Sequence, residues 1–172
     1  ASLRPSGAQR LWIPDSSGFA VAAALIPMGA LGDRVGRRKL LLAGSAGFGI
    51  ASTLAAFSTS AAMLIAARAF MGVAGATLLP STLAMIRNLF VEPRQRSLAI
   101  GIWTTCFTLG GTMGPVAGGL VLTHFWWGAV FLVGVPVMLA LLLIGPIVLP
   151  EFREPSHHPI DAGSLAQAAV GM

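Results

Sequence analysis

Apolar residues run along this chain in blocks too long for strands and too uniform for a single amphipathic face. Residues 11–31, 40–57, 61–86, 97–122 and 128–149 are each dominated by Ala, Leu, Val, Ile, Phe and Gly. About 20 such residues, rising 1.5 Å each in a helix, cover the hydrocarbon core of a bilayer. The pattern predicts an all-α membrane protein of five transmembrane helices. The second block is short and carries Gly44, Gly47 and Gly49, which permit close helix packing in lipid. The third runs on to Phe90 through Arg68, Pro80 and Arg87, long enough to span with tilt, and Pro80 is its expected kink. Pro14 falls early enough in the first block to act as a first-turn proline, and Trp12 suits the membrane interface.

Polar stretches separate the blocks. A charged run from Gly29 to Lys39 reads as a tight loop between the first two helices, and Gly36 suits the backbone such a loop needs. Ser58, Thr59 and Ser60 make an uncharged turn, residues 88–95 a charged loop, and residues 124–127 an aromatic turn. After residue 154 comes a polar linker, and residues 165–172 begin a new apolar pattern. The chain starts at Ala1 without an initiator methionine, and both ends read as cuts in a longer protein.

Composition agrees with the pattern. Hydrophobic residues make up 55% and charged residues 10%, with a mean hydropathy of +0.81, whereas soluble domains carry roughly 25% charge. The formal net charge of +5 lies in short clusters between apolar blocks and not on one face, which suits anionic membrane lipids and not nucleic acid. Arg34, Arg37, Arg38, Lys39, Arg87, Arg94, Arg96 and Arg153 fall on one side of the predicted spans, Arg4 and Arg10 on the other, and Arg68 within a span. By the positive-inside tendency the Asp33, Glu92 and Glu151 segments are cytoplasmic and the first span enters from outside. The single cysteine, Cys106, excludes an internal disulfide, no Cys/His grouping has zinc-site spacing, and the His157-His158 pair reads as solvated.

The charged run is also the most specific motif. Gly29, Leu31, Asp33, Arg34, Gly36, Arg37, Arg38 and Leu41 fall on the pattern Gly-x-Leu-(Ala/Gly)-Asp-Arg-x-Gly-Arg-(Arg/Lys)-x-x-Leu. From these residues alone the run is a topology determinant. The pattern resembles the signature loop of the major facilitator superfamily, where it joins the second and third helices and helps lock one end state of alternating access. The resemblance implies a gating role for Asp33 with Arg37 as its neighbouring partner. It also implies that the five spans are the second to sixth helices of an amino-terminal bundle whose first helix is missing.

Three further constellations carry chemistry. Arg68 lies about 12 Å into its span. A charge there is either a snorkelling arginine or a functional one, because burying it costs roughly 2.5–3.5 kcal/mol or more. Arg68 and Gly72 resemble the family's Arg-x-x-x-Gly element, which implies proton coupling. Gly110, Gly114 and Gly118 recur every fourth residue and form one smooth stripe, and Pro115 removes a backbone donor, so a bent, closely packed helix is expected. With Gly119 the run resembles the antiporter motif of drug/proton antiporters. Asp15 either caps its helix from outside the hydrocarbon or, by resemblance to the fourteen-helix drug exporters, meets cationic drugs and protons. Its depth is similar to that of Arg68, and the two are expected to share a cavity.

The resemblance implies a fragment of a proton-coupled multidrug efflux transporter of the plasma membrane. Its partners would be small hydrophobic or cationic drugs, protons and lipids, with no cofactor beyond the proton gradient, and the remainder of its chain would be needed for transport. A transporter of sugars or siderophores and a non-transporting membrane scaffold stay open as alternatives. Enzyme chemistry is not expected, since no nucleophile and base occur together inside the spans.

Overall fold

The structure, a computed structural model, describes residues 7–150. The calls on Arg4, Glu151, Arg153, the polar linker, His157-His158 and the apolar pattern after it lie outside the described residues. All regular structure among the described residues is helical: α1 (Gly7–Val35), α2 (Arg37–Ala56), α3 (Ala61–Leu89), α4 (Pro93–His124), α5 (Ala129–Leu132) and α6 (Gly134–Val148). Five segments are long and apolar enough to cross a membrane, α5 and α6 together making the fifth.

The helices extend further into the polar stretches than hydropathy predicts. The charged run is not a loop of several residues, because α1 continues through Asp33 and Arg34 to Val35 and α2 starts at Arg37. Gly36 alone turns the chain, at φ 112° and ψ 130°, a left-handed backbone that side chains disfavour. Its N–H still reaches the Gly32 carbonyl at 3.0 Å, and its own carbonyl accepts from Leu40 N at 3.0 Å, so both helix ends are satisfied through one residue. Pro14 is likewise not in the first turn but about two turns inside α1. The 88–95 loop shrinks because α3 keeps Asn88 and α4 opens on Pro93, where a missing N–H removes no helical bond. Ser60 caps α3 by accepting from Met63 N at 3.2 Å. The fifth span breaks at Val133. Pro136, which follows the break, has no N–H to offer the carbonyl of Leu132.

α3 is the centre of the bundle, packing extensively on both α1 and α2, while α2 also packs on α5 and α6. α1 and α2, joined at Gly36, touch each other far less than each touches α3. The buried faces are made mostly of small residues, with the larger Leu40 and Leu41 on α2 and Leu64 and Met85 on α3 among them. Gly44, Ser45, Ala51, Ser52, Ala55 and Ala56 line α2, and Ala67, Gly72, Ala74, Ala76, Thr77 and Ser81 line α3. Lipid is as apolar as leucine, so helices in a bilayer gain from close backbone approach and not from sequestering large side chains. Gly44 sits so near Thr77 that any β-carbon would overlap its hydroxyl, with the Ala74 carbonyl at 3.1 Å from that position. Two of the hydroxyls between the helices bond back to their own turns, Ser45 to Leu41 O at 2.8 Å and Thr77 to Ala74 O at 2.7 Å. Large apolar side chains such as Ile26, Leu143 and Ile147 point outward.

Candidate functional site

Asp33 and Arg37 form an ion pair across the turn, with the carboxylate Oδ1 accepting from Nη2. They are four residues apart, and the one-residue turn keeps the spacing of a single helical turn. The Arg37 side chain is the more enclosed, 16% exposed against 43% for Asp33. Gly32 makes the room: a β-carbon there would lie 3.1 Å from Arg37 Nη1 and 3.2 Å from its Cδ. Arg37 Nη1 itself is buried without a hydrogen-bond partner. Arg38 turns the other way, its Nη2 donating to the carbonyl of Pro146 in the last turn of α6. That turn has no basic residue of its own, so Arg38 supplies from α2 the cation that complements a helix C-terminus. Arg34 and Lys39 are exposed, as is Leu31, while Leu41 is fully in the core at 2% exposure. Gly29 lies against Pro80 of α3, where a β-carbon would stand 4.0 Å from the proline ring.

The second cluster gathers around Arg68. Its Nη2 donates to the carbonyl of Pro14 at 3.2 Å and to Ser17 Oγ at 3.0 Å, both on α1. Its guanidinium carbon stands 5.8 Å from the centre of the Phe131 ring on α5. Gly72, one turn further along α3, faces Ser17 and Ala20, and a β-carbon there would overlap the Ser17 carbonyl and lie 2.8 Å from Ala20 Cβ. Asp15 is exposed. Among the described residues no ion pair joins it to Arg68, whose partners are neutral. The shared depth is real, but successive residues of a helix point about 100° apart, and it is Pro14 and Ser17 of α1 that turn toward α3.

The glycine stripe of α4 is the third. It shares a helix face with Trp103 and Phe107, whose rings stack 5.8 Å apart, and Trp103 Nε1 donates to Thr82 Oγ1 on α3 at 3.2 Å. Beyond that tie α4 stands away. A β-carbon at Gly110, Gly114 or Gly119 would meet nothing within 4 Å, and one at Gly118 would meet only Val130 at 3.7 Å. The close packing expected of the stripe is therefore absent among the described residues, and α4 buries none of its own residues. Pro115 sits inside the continuous helix.

Sequence reasoning missed the Arg38 bond to α6, the Phe131 ring over Arg68 and the Trp103–Thr82 tie. The first two join helices that are not consecutive in the chain, the third joins α3 to the helix that follows it, and none has a local sequence signal.

A membrane bundle of small-residue helix contacts, a charged hairpin at one end and an intramembrane arginine defines a multi-pass transporter domain. The Major Facilitator Superfamily model matches residues 5–170, and the chain belongs to that superfamily. It is 54% identical to the multidrug efflux pump LfrA of Mycolicibacterium smegmatis over 98% of this chain and 34% of that protein. It is 40% identical to the methyl viologen resistance protein SmvA of Salmonella typhimurium over 99% of this chain and 34% of that protein. A tetracenomycin C resistance and export protein of Streptomyces glaucescens is 39% identical over 88% of this chain and 28% of its own length. The crystal structure of a peptide transporter, POT, shares the fold at a TM-score of 0.72 and 18% identity, across 98% of this chain and 36% of that one. The chain spans about a third of the length of the curated relatives it matches. These relatives are transporters and not enzymes.

Proposed function

We propose that this chain is most of the amino-terminal half of a proton-coupled exporter of hydrophobic, cationic compounds, acting in the bacterial plasma membrane by alternating access. The observation that carries the reading is the likeness, along almost the whole chain, to efflux and resistance proteins of the superfamily. One of them is named for resistance to methyl viologen, an organic dication. The Asp33–Arg37 hairpin supports a gate: an acid at a helix junction, half exposed and held by one arginine, is free to exchange partners as two halves rock. Arg68 supports proton coupling, since a guanidinium held only by neutral groups responds to any carboxylate brought near it. The proton gradient is the energy source, and no bound cofactor is called for.

Accumulation of a fluorescent lipophilic cation in cells making the whole transporter tests this. Expected is low accumulation that rises on adding a protonophore. Asp33→Asn, inserted at wild-type levels, is expected to accumulate dye as cells without the transporter do. Accumulation unaffected by the protonophore would refute proton coupling, and full efflux by the Asp33→Asn variant would refute the gate.

A further inference from the structure

Arg68 is a half-buried charge set inside a span with no counter-ion among the described residues, and the groups around it come from two other helices. α1 gives a carbonyl, from Pro14, and a hydroxyl, from Ser17. The Ser17 hydroxyl also lies 3.4 Å from the Pro14 carbonyl, so the two oxygens form one small polar patch in an apolar helix. α5 gives the face of Phe131, with the guanidinium carbon 5.8 Å from its centre. That is within the roughly 6 Å at which a ring quadrupole attracts a cation. Phe131 is itself fixed from two directions. It packs with Ile13, Met71 and Trp127 on the core made by Ala55, Leu64 and Ala67, and Trp127 meets it edge-on at 6.5 Å and 86°. Its height is set by Gly128, which is buried so close to the end of α2 that a β-carbon would overlap the Ala56 carbonyl. With no side chain at Gly128, α5 starts directly against α2, which brings Phe131 over Arg68.

We propose that Phe131 and Ser17 are positioning residues for Arg68, forming a neutral cradle that orients the guanidinium while leaving its charge uncompensated. The inference rests on the proton-coupling reading of Arg68 and adds to it what aims the cation. A carboxylate in place of the ring would lock Arg68 in a salt bridge, and an aliphatic residue would leave it free to snorkel toward water. The aromatic face does neither: it attracts the cation without accepting a hydrogen bond, and the Nε–H of Arg68, buried and unpartnered, stays available.

Two measurements on the whole transporter in lipid test the cradle. The first is the rate at which Arg68 is modified by an arginine-selective dicarbonyl, read by peptide mass spectrometry and independent of transport. Phe131→Leu is expected to raise the rate at least fivefold and Phe131→Trp, which keeps the aromatic face, to leave it within twofold of wild type. The second is proton exchange driven by tetraphenylphosphonium. Phe131→Leu is expected to lower its kcat/KM about tenfold, equivalent to about 1.4 kcal/mol, with the cation's Kd within twofold of wild type. Phe131→Trp is expected to restore exchange, and Ser17→Thr to do so better than Ser17→Ala. Equal dicarbonyl rates for wild type and Phe131→Leu would overturn the cradle. So would a Phe131→Trp variant as impaired as Phe131→Leu. Absence of exchange in wild type would count against the proposed function, while the dicarbonyl rates would still decide whether the cradle exists.

Discussion

Arg68 illustrates what single residues disclose and what they withhold. Its position in an apolar block was enough to mark it, because a charge at that depth needs water, a partner or a purpose. Its partners were not legible, since neither a backbone carbonyl nor a phenylalanine ring announces itself as a ligand in a sequence. Similar depth suggested Asp15, but the rotation of α1 turns Pro14 and Ser17 toward the guanidinium and leaves Asp15 exposed. The two residues are therefore expected to act independently. In whole-transporter assays of cation efflux, the losses for Asp15→Asn and Arg68→Ala should add in transition-state free energy to within about 0.5 kcal/mol. A larger coupling would mean that they meet in a state of the transport cycle other than this one. Asp33 and Arg37 were easier to pair from sequence, being one helical turn apart. Gly32, which gives Arg37 its room, was invisible because a vacancy is defined by its neighbours.

At the scale of elements, hydropathy found every span and misjudged most ends. It reports where a helix enters lipid, not where its hydrogen bonds stop, so Asp33 and Arg34 at the end of α1 and Asn88 at the end of α3 fall in stretches that read as loop. The break in the fifth span falls just before Pro136, in a block so uniformly apolar that hydropathy does not mark it. The glycines divide sharply. Gly44 and Gly72 are filled positions between helices, whereas Gly110 and Gly114 face open space among the described residues. Spacing alone does not separate these cases, since a stripe of small residues is equally smooth whether or not something lies on it. The difference is measurable. Gly72→Val should drive α3 off the Ser17 carbonyl and lower thermal stability in detergent by roughly 1–3 kcal/mol or more. Gly114→Val should leave the stability of this bundle within about 0.5 kcal/mol, yet abolish exchange if the stripe meets another part of the whole transporter. A Gly114→Val protein as destabilised as Gly72→Val would show that the stripe is packed after all.

For the molecule as a whole, charge asymmetry and the order of spans set the orientation. The turn after α2 and the junction before α4 should face opposite sides of the membrane. Both are accessible, with Thr59 exposed and Val91 78% exposed. With exposed Cys106 replaced, cysteines at Thr59 and Val91 should react with an impermeant thiol reagent from opposite faces. Labelling of both from one face would contradict the five-span arrangement. Fold class was readable from the sequence because membrane solvation leaves few alternatives to helices for long apolar blocks. The nearly uncovered α4 was not, because burial depends on what each helix meets and every block looks equally apolar alone.

Coupled export is decided most directly by reconstituting the whole transporter in sealed liposomes with a pH-sensitive dye inside and an imposed proton gradient. Adding a lipophilic dication should release protons down the gradient at a rate that saturates with dication concentration. It should do so with the wild-type protein but not with Asp33→Asn. Dication movement with no accompanying proton flux, or equal proton flux from both proteins, would contradict it.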